Sequence, residues 1–230
     1  MAALWWITVT MVFCLSAGSL AEIDLNQLAG LAKQIMTKIR EGYKIKEMYA
    51  VAVSIPKDEN QVSYALTKVM PNQQTQWNDG ILRTPRLVVA KIRRVTPRPP
   101  RSPYTEHAEW RVLQNLQLFG NPGDLLVFFS HATPCYERCA NPDGNFRITD
   151  GLSSLFNNRR KWGAKAFVFN TLFKPHGGDI NSNTIRAALT NIKEAIGRHN
   201  IFRCYKPNNG DFHCIKCFSS DQIDPNCICV

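Results

Sequence analysis

Acidic residues are scarce: 18 Asp and Glu stand against 28 Lys and Arg, which leaves the 230-residue chain at a formal net charge of +10. Such a balance favours polyanionic partners such as nucleic acid or an anionic membrane, and it equally suits a basic secreted protein. No internal repeat is present, which excludes solenoid and propeller arrays. No block of like charge occurs, and with 44% hydrophobic residues this excludes a disordered chain or tail. Asn-x-Ser/Thr triplets are absent, so N-glycosylation is not expected. Beyond residue 21 no stretch is apolar and uncharged over the roughly 20 residues that a membrane span needs, and no stable membrane association is expected of the mature chain. Eight cysteines are too few for a pure disulfide scaffold and too unevenly placed to be incidental.

Residues 1–21 (MAALWWITVTMVFCLSAGSLA) contain no Lys, Arg, Asp or Glu. An apolar run from Ala3 to Leu15 leads into the small-residue segment Ser16-Ala17-Gly18-Ser19-Leu20-Ala21, the pattern of a secretory signal peptide cleaved after Ala21 or Ser19. Cleavage removes Cys14 and leaves seven cysteines in an oxidising, extracellular setting.

The mature chain alternates between helix and strand patterns. Asp24 can cap an amphipathic helix through Leu25, Leu28, Ala32, Ile35, Met36 and Ile39, with Gly42 near its end. Strand periodicity follows at Tyr49–Ile55, and further strands are expected at Val62–Val69 and Leu87–Val95. The segment TPRPPRSP (residues 96–103) holds four prolines and two arginines and can only be a loop or stiff linker. Then come a helix over Thr105–Leu118, a strand at Leu125–Ser130, a helix from Pro134, and a helix over Leu152–Arg160. A strand at Ala166–Leu172, a helix over Asn183–Arg198 and a strand at Ile201–Tyr205 complete the series. This order predicts an α/β fold, a mixed sheet of about five strands sandwiched by helices. Three segments are expected: the signal at 1–21, a catalytic domain at 22–205, and a cysteine-rich C-terminal extension at 206–230.

Two short motifs can carry chemistry. His107-Ala108-Glu109 stands at the start of one expected helix, and Thr133-Pro134-Cys135 with Cys139 at the start of the next, with an apolar strand between them. One His and two Cys can supply three ligands of a tetrahedral zinc, leaving the fourth position open, as in catalytic sites. On a helix His107 and Glu109 would lie about 200° apart, so both reach one metal only if it sits off the helix mouth. Pro134 suits a first helical position, and a cysteine in the first turn has its thiolate favoured by the helix dipole.

His-x-Glu followed by Pro-Cys and a second Cys resembles the zinc-dependent cytidine deaminase superfamily, whose signature is H-x-E…P-C-x-x-C. The signal segment, the basic charge and the Thr133-Pro134-Cys135 text look like the secreted AID/APOBEC-like deaminases of metazoans. The resemblance implies a cytidine-deaminase-like fold and a zinc held by His107, Cys135 and Cys139. It further implies that Glu109 is the catalytic acid and base, moving the proton as water attacks C4 of a cytosine ring. An immune role against foreign polynucleotide is implied by the resemblance alone.

The chain departs from that pattern twice. Three residues rather than two separate Cys135 from Cys139, and Arg138 occupies the usual position of the second ligand; i+3 and i+4 partners share a helix face, so a local bulge can absorb the change. The aromatic residue that polynucleotide deaminases carry two positions before the proline is replaced by Ala132.

The surroundings supply candidate contacts to single-stranded nucleic acid or a nucleoside: Arg93, Arg94, Arg98 and Arg101 in a basic cluster with Lys91, then Tyr104, His131 and Thr133. Trp110 is a second stacking candidate, though its place inside a helix points to the core, and Arg159, Arg160, Lys161 and Lys165 form another basic cluster. Cys204, Cys214, Cys217, Cys227 and Cys229 remain as disulfide candidates; His213 with four of them could instead hold a structural zinc. No obligate protein partner is inferred. A free-nucleoside deaminase and a non-catalytic secreted binding protein remain alternatives to a polynucleotide deaminase.

Overall fold

Tyr49, Val51, Val53 and Ile55 alternate with Ala50, Ala52 and Ser54, and the computed structural model, which describes residues 22–58, 60, 62–71, 75–158 and 162–229, makes this segment strand β1 (Tyr49–Ile55). Every residue of β1 is buried because both faces of its sheet are covered. Ala50 and Ala52 pack into one hydrophobic core, while Tyr49, Val51, Val53 and Ile55 pack into the other. The period-2 side-chain alternation of a strand thus divides one segment between two layers.

The other strands are β2 (Ile81–Thr84), β3 (Leu87–Lys91), β4 (Arg93–Val95), β5 (Tyr104–Glu106), β6 (Asp124–Ala132), β7 (Trp162–Thr171), β8 (Ile201–Tyr205) and β9 (His213–Lys216). The main sheet runs β2-β3-β1-β6-β7-β8-β9, while β4 and β5 form a separate two-stranded ribbon. The central pairs β6–β7 and β7–β8 are parallel and the remaining pairs antiparallel. Near-continuous apolar runs such as Leu125–Phe129 are what a parallel strand covered on both faces requires.

Helix α1 (Leu25–Ile35), capped by the Asp24 carboxylate 2.7 Å from the Gln27 amide, packs on one face and continues as a π-helical turn through Glu41. Helices α2 (Ala108–Gln114), α3 (Thr149–Phe156) and α4 (Ser182–Ile196) contribute Val112, Leu152 and Leu189 to the core on the other face. Phe128 and Phe167 stack there at 5.6 Å, each ring worth roughly 1.5–3 kcal/mol by burial.

The fold is the mixed α/β sandwich expected, with seven strands in its main sheet rather than about five. The additions are β2, which returns onto β3 through Pro85 and Arg86, and β9, which pairs with β8. The expected strand at Val62–Val69 does not form. Asp58 accepts from the Val62 amide (3.0 Å) and the Ser63 hydroxyl (2.5 Å), closing a side-chain-capped turn, and Leu66–Lys68 winds into a 3₁₀ turn. The expected strand at Leu87–Val95 is two strands parted at Ile92, the first in the main sheet and the second in the ribbon.

Toward the C-terminus, Cys204–Cys214 joins directly opposed residues of β8 and β9, and Cys217–Cys227 closes the loop beyond. Cys229 is exposed and unpaired. With Cys214, Cys217 and Cys227 in disulfides, these thiols are not available to a second, structural zinc. The expected signal segment, with Cys14, and the basic residues Arg159, Arg160 and Lys161 lie outside the described residues.

Candidate metal centre and active site

The chain leaves β6 through Thr133, which is buried and doubly anchored. Its amide donates to the Thr171 carbonyl (2.9 Å), and its Oγ1 accepts from the Phe173 amide (2.8 Å). Cys135 then keeps extended geometry (φ −67°, ψ 142°) before a single π-helical turn, Tyr136–Ala140. The amides of Ala140 and Asn141 reach back five residues, to Cys135 O (3.0 Å) and Tyr136 O (2.7 Å). This wider loop takes in one more residue per turn than an α-helix, and so returns the fourth residue after Cys135 beneath it. The two sulfurs lie 3.7 Å apart. The extra residue of PC-x3-C is therefore absorbed as a π-turn, with Asn191 of α4 donating to the Ala140 carbonyl (3.1 Å) at its end.

His107 approaches from the other side. The expected helix over Thr105–Leu118 is shorter: Tyr104–Glu106 is strand β5, and His107 is the extended N-cap (φ −77°, ψ 147°) of α2. Standing outside the helix, His107 is free of the 200° separation from Glu109 that a continuous helix would impose. Arg111, buried in the same helix, donates to the Lys91 carbonyl (2.7 Å), to Asp79 and toward Glu106 (3.5 Å), which pins α2 to the end of β3.

His107 Nδ1 lies 3.5 Å from Cys135 Sγ and 3.1 Å from Cys139 Sγ, and the three donor atoms all fall within 4.8 Å of one another. A tetrahedral zinc with ordinary bond lengths demands sulfurs about 3.8 Å apart and nitrogen about 3.6 Å from each sulfur. The donor set fits that demand to within about half an ångström. One thiol of the pair is favoured as a thiolate: the hydrogen bond with Cys139, then that with His107, holds Cys135 down to about 4 against the effect of burial. Cys139 moves upward through the same bond and its burial. Burial opposes the charged form of His107, but the Cys135 bond and charge outweigh it and raise the imidazole.

Glu109 sits in the first turn of α2, only 2% exposed. Burial raises its carboxyl above the ordinary range, opposed by a hydrogen bond from Ser130 Oγ to Oε1 at 2.7 Å. The Ser130 hydroxyl also lies 2.6 Å from the Ala132 carbonyl. One hydroxyl proton faces two acceptors, and a protonated Glu109 resolves this by donating to Ser130 while Ser130 donates to Ala132.

A cavity of about 390 Å³ opens over His107 and Cys135, walled by Tyr136, Phe173, Pro175 and Ile185, with Glu137, Arg138 and Asp179 among its polar lining. The other expected contact residues divide. Arg94, Arg98 and Arg101 are exposed on the β4–β5 ribbon and its loop, and Tyr104 is 38% exposed. Arg93 is engaged by Glu106 (2.8 and 3.0 Å) and by Asp79. Thr133 is a structural anchor. His131 points to the opposite face of the sheet, stacked on Tyr49 at 5.4 Å, because β6 continues to Ala132 and alternation turns Ser130 toward Glu109 and His131 away. Lys165 donates to the Phe156 carbonyl.

Sequence reasoning passed over Ser130, Arg111 and Phe146. The ring of Phe146 stacks with Tyr104 (5.9 Å) and His107 (6.4 Å) and meets Trp110 edge-on (5.2 Å). Phe146 lies in an irregular loop where no periodicity marks it; Ser130 was detectable as the residue of an apolar strand whose hydroxyl needs a partner.

Among known families, the model described as Secreted Novel AID/APOBEC-like Deaminase 1 matches residues 29–229. No curated protein and no solved structure matches the chain. Among the described residues no helix is long and apolar enough to cross a membrane.

Proposed function

From the chain's membership of this family of secreted AID/APOBEC-like deaminases we propose that it is a zinc-dependent enzyme converting cytosine to uracil in single-stranded nucleic acid outside the cell. The observation that carries the proposal is the convergence of His107, Cys135 and Cys139, with the buried Glu109 two residues beyond His107 and held by Ser130. His107, Cys135 and Cys139 would hold the zinc, which supplies Lewis-acid activation of water. Glu109 receives one proton of the attacking water and delivers it to the ring nitrogen, then takes the remaining hydroxyl proton and delivers it to the departing ammonia. Ser130 fixes the carboxyl by holding Oε1. Tyr136, Phe173 and Ile185 offer apolar walls to a flat base and exclude bulk water from it. Arg94, Arg98 and Arg101, exposed and without a carboxylate partner among the described residues, offer cationic charge to a phosphate backbone.

A second reading, deamination of a free nucleoside, is favoured by Ala132 standing where polynucleotide deaminases carry an aromatic residue, and by the acidic Glu137 and Asp179 at the cavity. Incubating the zinc-loaded protein with single-stranded DNA, single-stranded RNA and cytidine separates the two by where uracil or uridine forms. Glu109→Gln should abolish conversion and leave zinc content and nucleic-acid affinity intact. No product from any of the three substrates overturns the enzyme reading and leaves a secreted binding protein.

A further inference from the structure

Beside the metal cavity lies a second one, of about 410 Å³, lined by Tyr104, Glu106, Trp110, Arg138, Asn145 and Phe146. Its floor is aromatic. Phe146 lies 25° from the plane of Tyr104 and 7° from that of His107, so the three rings form a tilted stack that starts at the metal cluster and ends at a partly exposed tyrosine. Trp110 meets Phe146 edge-on and holds it in place. The one carboxylate in the lining, Glu106, is neutralised by Arg93 and Arg111. The groove therefore presents flat apolar surface without free negative charge.

Arg138 lines both cavities. It is exposed and pairs with no carboxylate among the described residues. Its carbonyl accepts from the Phe146 amide (3.1 Å), so the backbone that sets the guanidinium also sets the stacking ring. Arg138 is also a residue of the three that separate the cysteines, so the π-turn that accommodates PC-x3-C presents a cation on the rim between the two cavities.

Resting on the proposed reading of the metal site, we infer that this groove is a stacking subsite for the nucleobase adjacent to the reacting cytosine, with Arg138 holding the phosphate that links the two nucleotides. The chemistry is sequence-tolerant, because every base offers a π-face to an aromatic ring and every linkage a phosphate to a guanidinium. The β4–β5 ribbon carries Tyr104 and, on the loop between its strands, Arg98 and Arg101, which continue the cationic track beyond the groove. The absence of an aromatic residue at Ala132 is thereby offset on the other side of the metal.

The test measures binding alone, in the full mature chain carrying Glu109→Gln, by fluorescence anisotropy. The probes are labelled 12-nucleotide single strands, DNA and RNA, with one cytosine, and the same strands with an abasic residue on either side of it. Tyr104→Ala and Phe146→Ala should each weaken binding about 5- to 150-fold, the range expected of one stacked base. Tyr104→Phe should restore affinity to within about twofold. An abasic residue on one flank should weaken the parent by a similar factor and add little to Tyr104→Ala. Arg138→Gln should reduce the slope of log affinity against log salt by about 0.7. Tyr104 is exposed enough that its truncation leaves the fold standing, and zinc content reports that directly. Unchanged affinity in Tyr104→Ala, or equal abasic penalties in parent and variant, overturns the inference even if cytidine is deaminated. Coupling of the abasic flank to Tyr104 in a protein that converts no substrate retains the subsite and discards the enzyme reading instead.

Discussion

The His107–Cys135–Cys139 cluster and the β4–β5 ribbon lie side by side and are built on opposite principles. Cys135 and Cys139 hang from the end of β6, the central strand of the main sheet, and every backbone turn that aims them is closed by a hydrogen bond. Both cysteines are buried, and Glu109 is held by a buried serine. The ribbon pairs only with itself, and its loop carries exposed arginines. Chemistry that needs donor atoms fixed to fractions of an ångström sits on the part of the molecule that can fix them. The recognition of a flexible polyanion proposed for the exposed arginines tolerates approximate placement, and these lie on the ribbon and its loop. His107 joins the two regions, being at once the residue after β5 and the cap of α2.

The largest effect should come from the rigid region. Cys139→Ser should strip zinc from the protein and lower activity by more than the roughly 10–100-fold that loss of an outer-shell partner costs. Moving the ligand to the family's usual spacing, with Arg138→Cys in a Cys139→Ser background, should fail to restore zinc, because the π-turn faces residue 138 outward and residue 139 inward. Metal analysis of the two proteins reads this directly. Zinc recovered in the double variant would show that the turn follows the metal rather than placing it.

This contrast also marks what the sequence made legible. That His107, Cys135 and Cys139 come together was legible because metal chemistry dictates residue types and their placement at element ends. β1 and β8 were legible to the residue because the first alternates cleanly and the second is a short, bounded apolar run. The π-turn was not, since an i→i+5 closure depends on α4 packing against Ala140 and leaves no local signature. His131 was misplaced by ending β6 two residues early; extended to Ala132, the same alternation rule puts it on the far face. Phe146 was invisible for a different reason. Its role is conferred by a loop that folds back on the π-turn, and only the tertiary contact of its amide with Arg138 reveals it.

That fold-back gives an intermediate effect, at the seam between the regions. Gly144 approaches the π-turn so closely that a β-carbon would stand 2.5 Å from the Arg138 carbonyl oxygen, a backbone atom that cannot swing aside. Gly144→Ala should therefore displace the loop carrying Phe146, at a cost of about 1–3 kcal/mol in stability, typical of overpacking. Thermal unfolding measures the cost, and oligonucleotide affinity measures the displaced ring. The two should fall together while zinc stays bound, since the Ile148 amide still ties the far end of the loop to the Cys139 carbonyl (2.8 Å). Zinc lost along with affinity would mean that the loop supports the metal centre as well.

The smallest effect should come from the ribbon itself. Arg98 and Arg101 are exposed, and neither has a carboxylate partner among the described residues, so their removal disturbs no packing and leaves no buried charge unpaired. Each phosphate contact on a single strand contributes about 0.7 to the salt slope of binding. Arg98→Ala with Arg101→Ala should then flatten that slope by up to about 1.4 if both touch the strand, with the loss of affinity largest at low salt and shrinking as salt screens the charge. A uniform loss at every salt concentration would point instead to a change in the ribbon's shape, carried to Tyr104 through its pairing with Val95. The slope thus distinguishes a ribbon that attracts the polyanion by charge from one that positions the aromatic stack beside the metal.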